Sequence, residues 1–249
     1  MKKYLDNENL DVVILTAQIL TSQKLYSFDK IKTKNTKENK LINKDYSNLV
    51  VVDVECTCWD DKSHSRDEME IIEIGASVII GNKVIEKASF YIKPVINPVL
   101  SNFCTKLTGI KQETVASADT FTNAFNKFEN WVKEHQTNHG IDTIQTLASW
   151  GNFDINIINK LSKRNGYDCF LTDKEHVNVK DYFVEKYSEF KGNKLFEHCL
   201  NHTGLKFEGS PHSGADDAYN IARMIVNSEF DFNKQVEPIK HYSKNYKRK

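Results

Sequence analysis

The stretch that most constrains this chain is Leu49-Val50-Val51-Val52-Asp53-Val54-Glu55. Its unbroken β-branched run predicts a strand buried on both faces, as in the middle of a largely parallel sheet. Residues two apart in a strand share a face, which sets Asp53 and Glu55 side by side. Two carboxylates ending a buried strand are costly unless a cation or a hydrogen-bond network neutralises them. Hard cations such as Mg²⁺ and Mn²⁺ take oxygen ligands, so a divalent-metal site is one reading. Taken alone, Asp-x-Glu also fits a strand end whose carboxylates emerge into water.

The 249 residues hold one sizeable core with some extension. Their 34 basic and 34 acidic residues cancel, which argues against coating long nucleic acid by bulk charge. An enzyme that grips a few nucleotides locally stays open. The five cysteines, Cys56, Cys58, Cys104, Cys169 and Cys199, are odd in number and scattered. That pattern suggests no disulfide framework and fits a reducing, cytoplasmic location. His198, Cys199 and His202 can share a helical face, a spacing that suits a metal site and equally suits packed or solvated side chains. No apolar run is long enough to span a membrane, and the polar start Met1–Leu10 is unlike a secretory signal.

Residues 1–46 read as an N-terminal extension and linker, since Lys32 to Asp45 is mostly Lys, Asn and Thr. Residues 233–249 read as a basic C-terminal tail. Between them, Ile71–Ile80 predicts a second strand, Gly81-Asn82 a hairpin turn, and Lys83–Ile92 a third strand. Helical spacing of Phe121, Ala124, Phe125, Phe128, Trp131 and Val132 predicts a core-facing helix. Thr143–Trp150 reads as a fourth strand and Val177–Lys180 as a fifth. Helices are expected over Tyr182–Phe190 and Lys194–Thr203. Asp154 falls near a helix start just beyond a strand, where open α/β sheets keep their ligands; a plain helix cap is the alternative. His212 lies in a loop and Asp217 in the first turns of a final helix.

Asp53, Glu55, Asp154 and Asp217 thus come from three segments whose ends can converge at one edge of a sheet. Four carboxylates there can hold two divalent cations, which clamp the attacking and leaving oxygens of a phosphodiester displacement. Histidine titrates near neutrality, so His212 is suited to take the proton from an attacking water. No Gly-rich phosphate loop or serine nucleophile elbow argues for a rival mechanism.

Val-Val-Asp53-Val-Glu55-Cys-Thr-Cys, Trp150-Gly-Asn-Phe-Asp154 and His212-Ser-Gly-Ala-Asp-Asp217-Ala resemble the three motifs of the DEDDh (DnaQ-like) 3′→5′ exonuclease superfamily. Phe103-Cys-Thr-Lys-Leu107-Thr108-Gly109-Ile110 is similar to its ERI-like (enhanced RNAi) branch. The resemblance covers about residues 48–228. It implies an RNase H-like α/β fold, a mixed five-stranded sheet flanked by helices, over a domain of residues 47–232. It implies that Asp53, Glu55, Asp154 and Asp217 bind two Mg²⁺ or Mn²⁺ ions and that His212 is the general base. The family's spacing from the histidine implies Asp217 as the ligand; Asp216 then caps or solvates the helix. Cys56, Thr57, Leu107 and Thr108 would line the pocket for the 3′-terminal nucleotide, with ordinary core packing the alternative for Leu107. Trp150 is expected in the core. The N-terminal 46 residues show no SAP-type module, which removes one source of structured-RNA specificity.

The expected activity is metal-dependent 3′→5′ hydrolysis of RNA, or of single-stranded DNA, to nucleoside 5′-monophosphates. The partners are single-stranded 3′ ends. The rival is a non-catalytic scaffold that binds nucleic-acid ends.

Overall fold

The computed structural model describes residues 47–61, 64–186 and 195–228. The strand marked out by the sequence is the centre of the molecule. β1 spans Leu49–Cys56, and Leu49, Val50, Val51 and Val52 have no exposed surface. β2 (Ile71–Ile80) returns through Gly81-Asn82 to β3 (Lys83–Tyr91). Both turn residues have positive φ, the geometry that matches a two-residue hairpin to the right-handed twist of its strands. Helices α1 (Asn102–Thr108), α2 (Gln112–Ala116) and α3 (Phe121–Asn138) precede the short β4 (Thr146–Ser149). Then come α4 (Phe153–Arg164), β5 (Glu175–Asn178), α5 (Val179–Lys186), α6 (Leu195–His202) and α7 (Gly214–Asn227).

The strands form one five-stranded sheet in the order β3-β2-β1-β4-β5. β1–β2 and β2–β3 are antiparallel, whereas β1–β4 and β4–β5 are parallel. This is the mixed, helix-flanked sheet that the family resemblance implies, and it is less parallel than the β-branched run of β1 suggests on its own. Period-2 alternation divides β1 between two cores. Val50, Val52 and Val54 join Phe125, Phe128 and Val132 of α3 and Ile158 and Leu161 of α4. Leu49 and Val51 join Phe183, Leu200, Ile221 and Ile225 beneath α5, α6 and α7. A fully buried Val or Leu contributes about 1.5–3 kcal/mol. Four in succession therefore outweigh the cost of the two half-buried carboxyls that follow them.

β4, β5 and α5 differ in extent from expectation. β4 is shorter, and β5 lies two residues earlier, because the strand ends at Asn178, where a helix begins. Its Oδ1 accepts the Asp181 N–H at 3.4 Å, and its Nδ2 donates to Asp181 Oδ2 at 2.9 Å. This is the N-capping role in which Asn excels. Val179 and Lys180 thereby join α5. The expectations for residues 1–46 and 233–249, and the last part of the helix expected to Phe190, lie outside the described residues.

Candidate active site

β1 outruns its parallel neighbour, and that is what opens the site. Pairing with β4 ends at Val51–Ala148, so the strand continues past it with one edge free. Asp154, buried in the first turn of α4, fills part of that edge. Its Oδ1 accepts the Val54 N–H at 3.0 Å. Asp154 therefore reaches across to β1 and is not simply the cap of its own helix; Asn152, at the N-cap position, makes no side-chain cap bond either.

Along the other edge of β1, Asp53 and Glu55 stand opposite Gly75 and Glu73 of β2. The ladder shifts register between Glu55 and Cys56, and such bulges re-aim a strand where a site is built. The start of α7 sits directly on this surface. A Cβ on Gly75 would lie 1.8 Å from Gly214 C, and one on Gly214 would lie 2.9 Å from Asp53 O. Only two glycines allow the helix to come this close.

That approach brings Asp217 and His212 to the strand end. Ligand atoms of Glu55, His212 and Asp217 all lie within 4.8 Å of one another, the one such group among the described residues. His212 has φ +63°, a left-handed conformation that is strained for a residue with a side chain. Its N–H thereby donates to Asp217 Oδ2 at 2.8 Å. The histidine lies outside the helix as expected, and its backbone is tied to Asp217. Asp216 neither caps nor floats in solvent. Its carboxylate accepts the Ser210 N–H at 2.8 Å and pairs with Lys87 of β3, which pins the loop that carries His212. Burial pushes Asp216 up, but Lys87 and the Ser210 N–H outweigh it and hold the carboxyl below its ordinary value.

The four carboxyls Asp53, Glu55, Asp154 and Asp217 shift the other way. Burial raises all four, with the neighbouring acids adding to it at Asp53, Glu55 and Asp217. Glu55 is pushed up to about 9 and Asp217 to about 7. Asp154 reaches about 6, because the Val54 N–H pulls it back. Asp53 is raised by burial first, then by Asp154, Asp217 and Glu55. Oxygen donors crowded together and short of positive charge fit a hard divalent cation.

The pocket residues divide. Cys56 is buried in the core, and Thr57 is only 2% exposed, its hydroxyl accepting the Glu70 N–H at 3.0 Å. Thr108 donates to Cys104 O at 2.9 Å and accepts the Ile110 N–H at 3.1 Å. These three side chains serve the fold, so backbone groups are what they have to offer a ligand. Leu107 is 36% exposed. Its helix is docked on the exit of β1 by Ser101 Oγ, which donates to Cys58 O at 2.6 Å, and by Cys104 Sγ, which donates to Cys56 O at 3.6 Å. Trp150 packs edge-on to Phe196, as a core residue should. Cys199 is fully buried, and the His198–His202 stretch forms no metal cluster among the described residues.

Sequence reasoning passed over Glu70, Glu73 and Phe153. Two glutamates in the apolar run Met69-Glu70-Ile-Ile-Glu73-Ile-Gly75 were the available signal for the first two. Phe153, 52% exposed beside Asp154, was hidden by its place in the motif.

A family model described as exonuclease, of the RNase T type, matches residues 50–225. The chain belongs to that exonuclease family. The exonuclease is 30% identical over 206 residues to the 3′-5′ exonuclease Snipper of Drosophila melanogaster, covering 77% of this chain and 73% of that protein. It is 30% identical over 196 residues to human 3′-5′ exoribonuclease 1, covering 76% of this chain but 54% of that protein; the chain thus spans about half of that relative. Among solved structures it is similar to the nuclease domain of 3′hExo, a DEDDh family member bound to rAMP. The TM-score is 0.64 and the identity 26%, covering 75% of this chain and 94% of that one. A 3′-exonuclease solved with a histone mRNA stem-loop gives TM-score 0.64 and 25% identity, covering 75% of this chain and 83% of that one.

Proposed function

We propose that this exonuclease shortens RNA from its 3′ end to nucleoside 5′-monophosphates, with single-stranded DNA the closest alternative substrate. The observation that carries the proposal is the convergence of Glu55, His212 and Asp217 within 4.8 Å, beside Asp53 and Asp154. The relatives named as exoribonucleases support RNA.

In this reading Asp53, Glu55, Asp154 and Asp217 hold two Mg²⁺ or Mn²⁺ ions. Ions held there would supply an activated water and neutralise charge on the phosphodiester. His212 takes the proton from the attacking water, and its tie to Asp217 fixes where that happens. Leu107 and the exposed Phe153 present apolar surface to the terminal bases, while backbone groups at Cys56, Thr57 and Thr108 meet the ribose. A protein that accepts RNA contacts the 2′-OH. The domain spans residues 47–232 between an extension and a basic tail. All five cysteines are free, which suits a reducing compartment such as the cytoplasm.

Matched 5′-labelled single-stranded RNA and DNA, each with Mg²⁺, Mn²⁺ and EDTA, test the proposal, with His212→Ala alongside. The expected result is a metal-dependent ladder shortening from the 3′ end, faster on RNA and roughly 10²–10⁴-fold slower in the variant. Intact oligonucleotides under every metal condition, with a folded protein, defeat it.

A further inference from the structure

Helix α7 carries Asp217, yet it begins without a cap of its own. Ser213, at the N-cap position, makes no side-chain cap bond, although the first N–H groups of a helix need acceptors. The acceptor comes from β2, 141 residues earlier. Glu73 Oε2 accepts the Gly214 N–H at 3.2 Å, and Oε1 accepts the Ala215 N–H at 3.4 Å. Ser89 of β3 donates its hydroxyl to Oε1 at 2.6 Å.

This is an expensive place for a carboxylate. Glu73 is 1% exposed and stands opposite Glu55 in the ladder, where like charges repel. The chemistry of its partners explains the choice. All three are donors, and a carboxylate is the side chain that only accepts. A glutamine would turn an NH₂ group towards one of them. Both oxygens are committed to those donors, and Glu73 is absent from the group of converging ligand atoms. It is therefore placed to hold the site and not to hold a metal.

We propose that Glu73 is the positioning residue of this active site, a cap supplied from the sheet that fixes the start of α7 and so sets His212 and Asp217 against Asp53 and Glu55. Its catalytic consequence rests on the exonuclease reading above. The Gly75–Gly214 contact leaves no side chain between helix and strand to absorb a shift. Gly214 lies two residues after His212 and three before Asp217, and the His212 N–H bond to Asp217 makes the pair move together. Misplacing a catalytic group by about 1 Å costs on the order of 10²-fold in rate.

The test uses the full chain with Glu73→Gln, Glu73→Asp and Ser89→Ala. Each is measured for kcat and KM on a 5′-labelled single-stranded RNA with Mg²⁺, for folding by circular dichroism, and for amide hydrogen exchange across residues 210–217. Glu73→Gln is expected to stay folded and to lose roughly 10²-fold in kcat, with KM held within about threefold. Exchange across 210–217 is expected to rise at least about tenfold while α3 is unchanged. Glu73→Asp, which keeps the acceptor on a shorter arm, recovers part of the lost rate. A folded Glu73→Gln with wild-type kcat overturns the proposal, as does a lost rate with unchanged exchange at 210–217. Should Glu73→Gln fail to fold, Ser89→Ala decides by the same two readouts, with a smaller loss of the same kind expected. A wild-type protein inert on RNA and DNA defeats the functional reading alone, and the exchange measurement then decides on the clamp.

Discussion

Two groups of carboxyls lie near the exit of β1, and they are treated in opposite ways. Glu70, just before β2, accepts the N–H groups of Val95, Ile96 and Asn97, each at 2.9 Å, with Arg164 at 3.9 Å. Asp53 and Glu55, on β1, face Asp154, Asp217 and each other and are raised by burial and by that crowding. One carboxylate is surrounded by donors, whereas the other pair is surrounded by acids. The first arrangement stabilises a loop. The second destabilises the empty protein and makes sense only if something positively charged completes it, which is why strongly shifted groups in a cleft point to function.

The sharpest way to break this contrast is to truncate one member of each set. Asp53→Ala should lower exonuclease activity at least about 10³-fold, which is about 4 kcal/mol of barrier. In EDTA its thermal midpoint should equal or exceed wild type, since a buried repulsion has been removed. The rise in midpoint that Mn²⁺ gives the wild type should shrink. Glu70→Ala should do the reverse. Leaving buried N–H groups without an acceptor costs about 3 kcal/mol, or roughly 6–12 °C in midpoint for a domain of this size. Its rate per folded molecule should stay within about threefold of wild type. Paired melting curves and initial rates check both. An Asp53→Ala protein as unstable as Glu70→Ala would show that the two sets are alike after all.

How much of this was legible in the sequence follows the same division. β1, its paired acids, and the order of the three motifs were readable because periodicity and spacing are local properties. The start of α5 was misread because Val177-Asn178-Val179-Lys180 alternates like a strand, while Asn178 is spent on Asp181 instead. The role of Asp216 was misread because its partners, Lys87 and Ser210, come from a distant strand and a loop. The partners of Glu70 and Glu73 were invisible for the same reason. A carboxylate inside an apolar run shows that something unusual is happening, but only the fold says which donors surround it.

The contrast also has a pH dependence with a definite sign. Glu55 at about 9, Asp217 at about 7 and Asp154 at about 6 all lie above the ordinary 4.5 or 3.8 of their residue types. A group raised in the fold contributes stability below its unfolded value, and that contribution is lost as pH rises through the folded value. In EDTA the midpoint should therefore fall steadily from about pH 4 to about pH 9, by several degrees in all. Glu55→Gln should flatten the upper part of the curve, where that carboxyl ionises. Divalent cations should reverse the trend, because they bind the deprotonated site and displace its protons. A chelated protein that gains stability between pH 5 and pH 9 would mean that these acids are already neutralised by partners within the protein.

The smallest expected effect tests where the unsettled region meets its ligand. Phe153 opens α4 immediately before Asp154, and a phenylalanine 52% exposed at such a position is unexplained by packing. Its neighbours on the helix, Ile157 and Ile158, are buried, so removing the ring leaves the core untouched. Stacking of a base on an aromatic ring is worth about 1–3 kcal/mol. Phe153→Ala should accordingly raise KM for a single-stranded oligonucleotide about tenfold, with kcat changed less than threefold and the midpoint within about 1–2 °C. Phe153→Trp should restore the affinity, since any flat aromatic surface serves. A loss confined to kcat would instead assign the ring to the placement of Asp154 and extend the ordering role of the buried donors to the rim of the site.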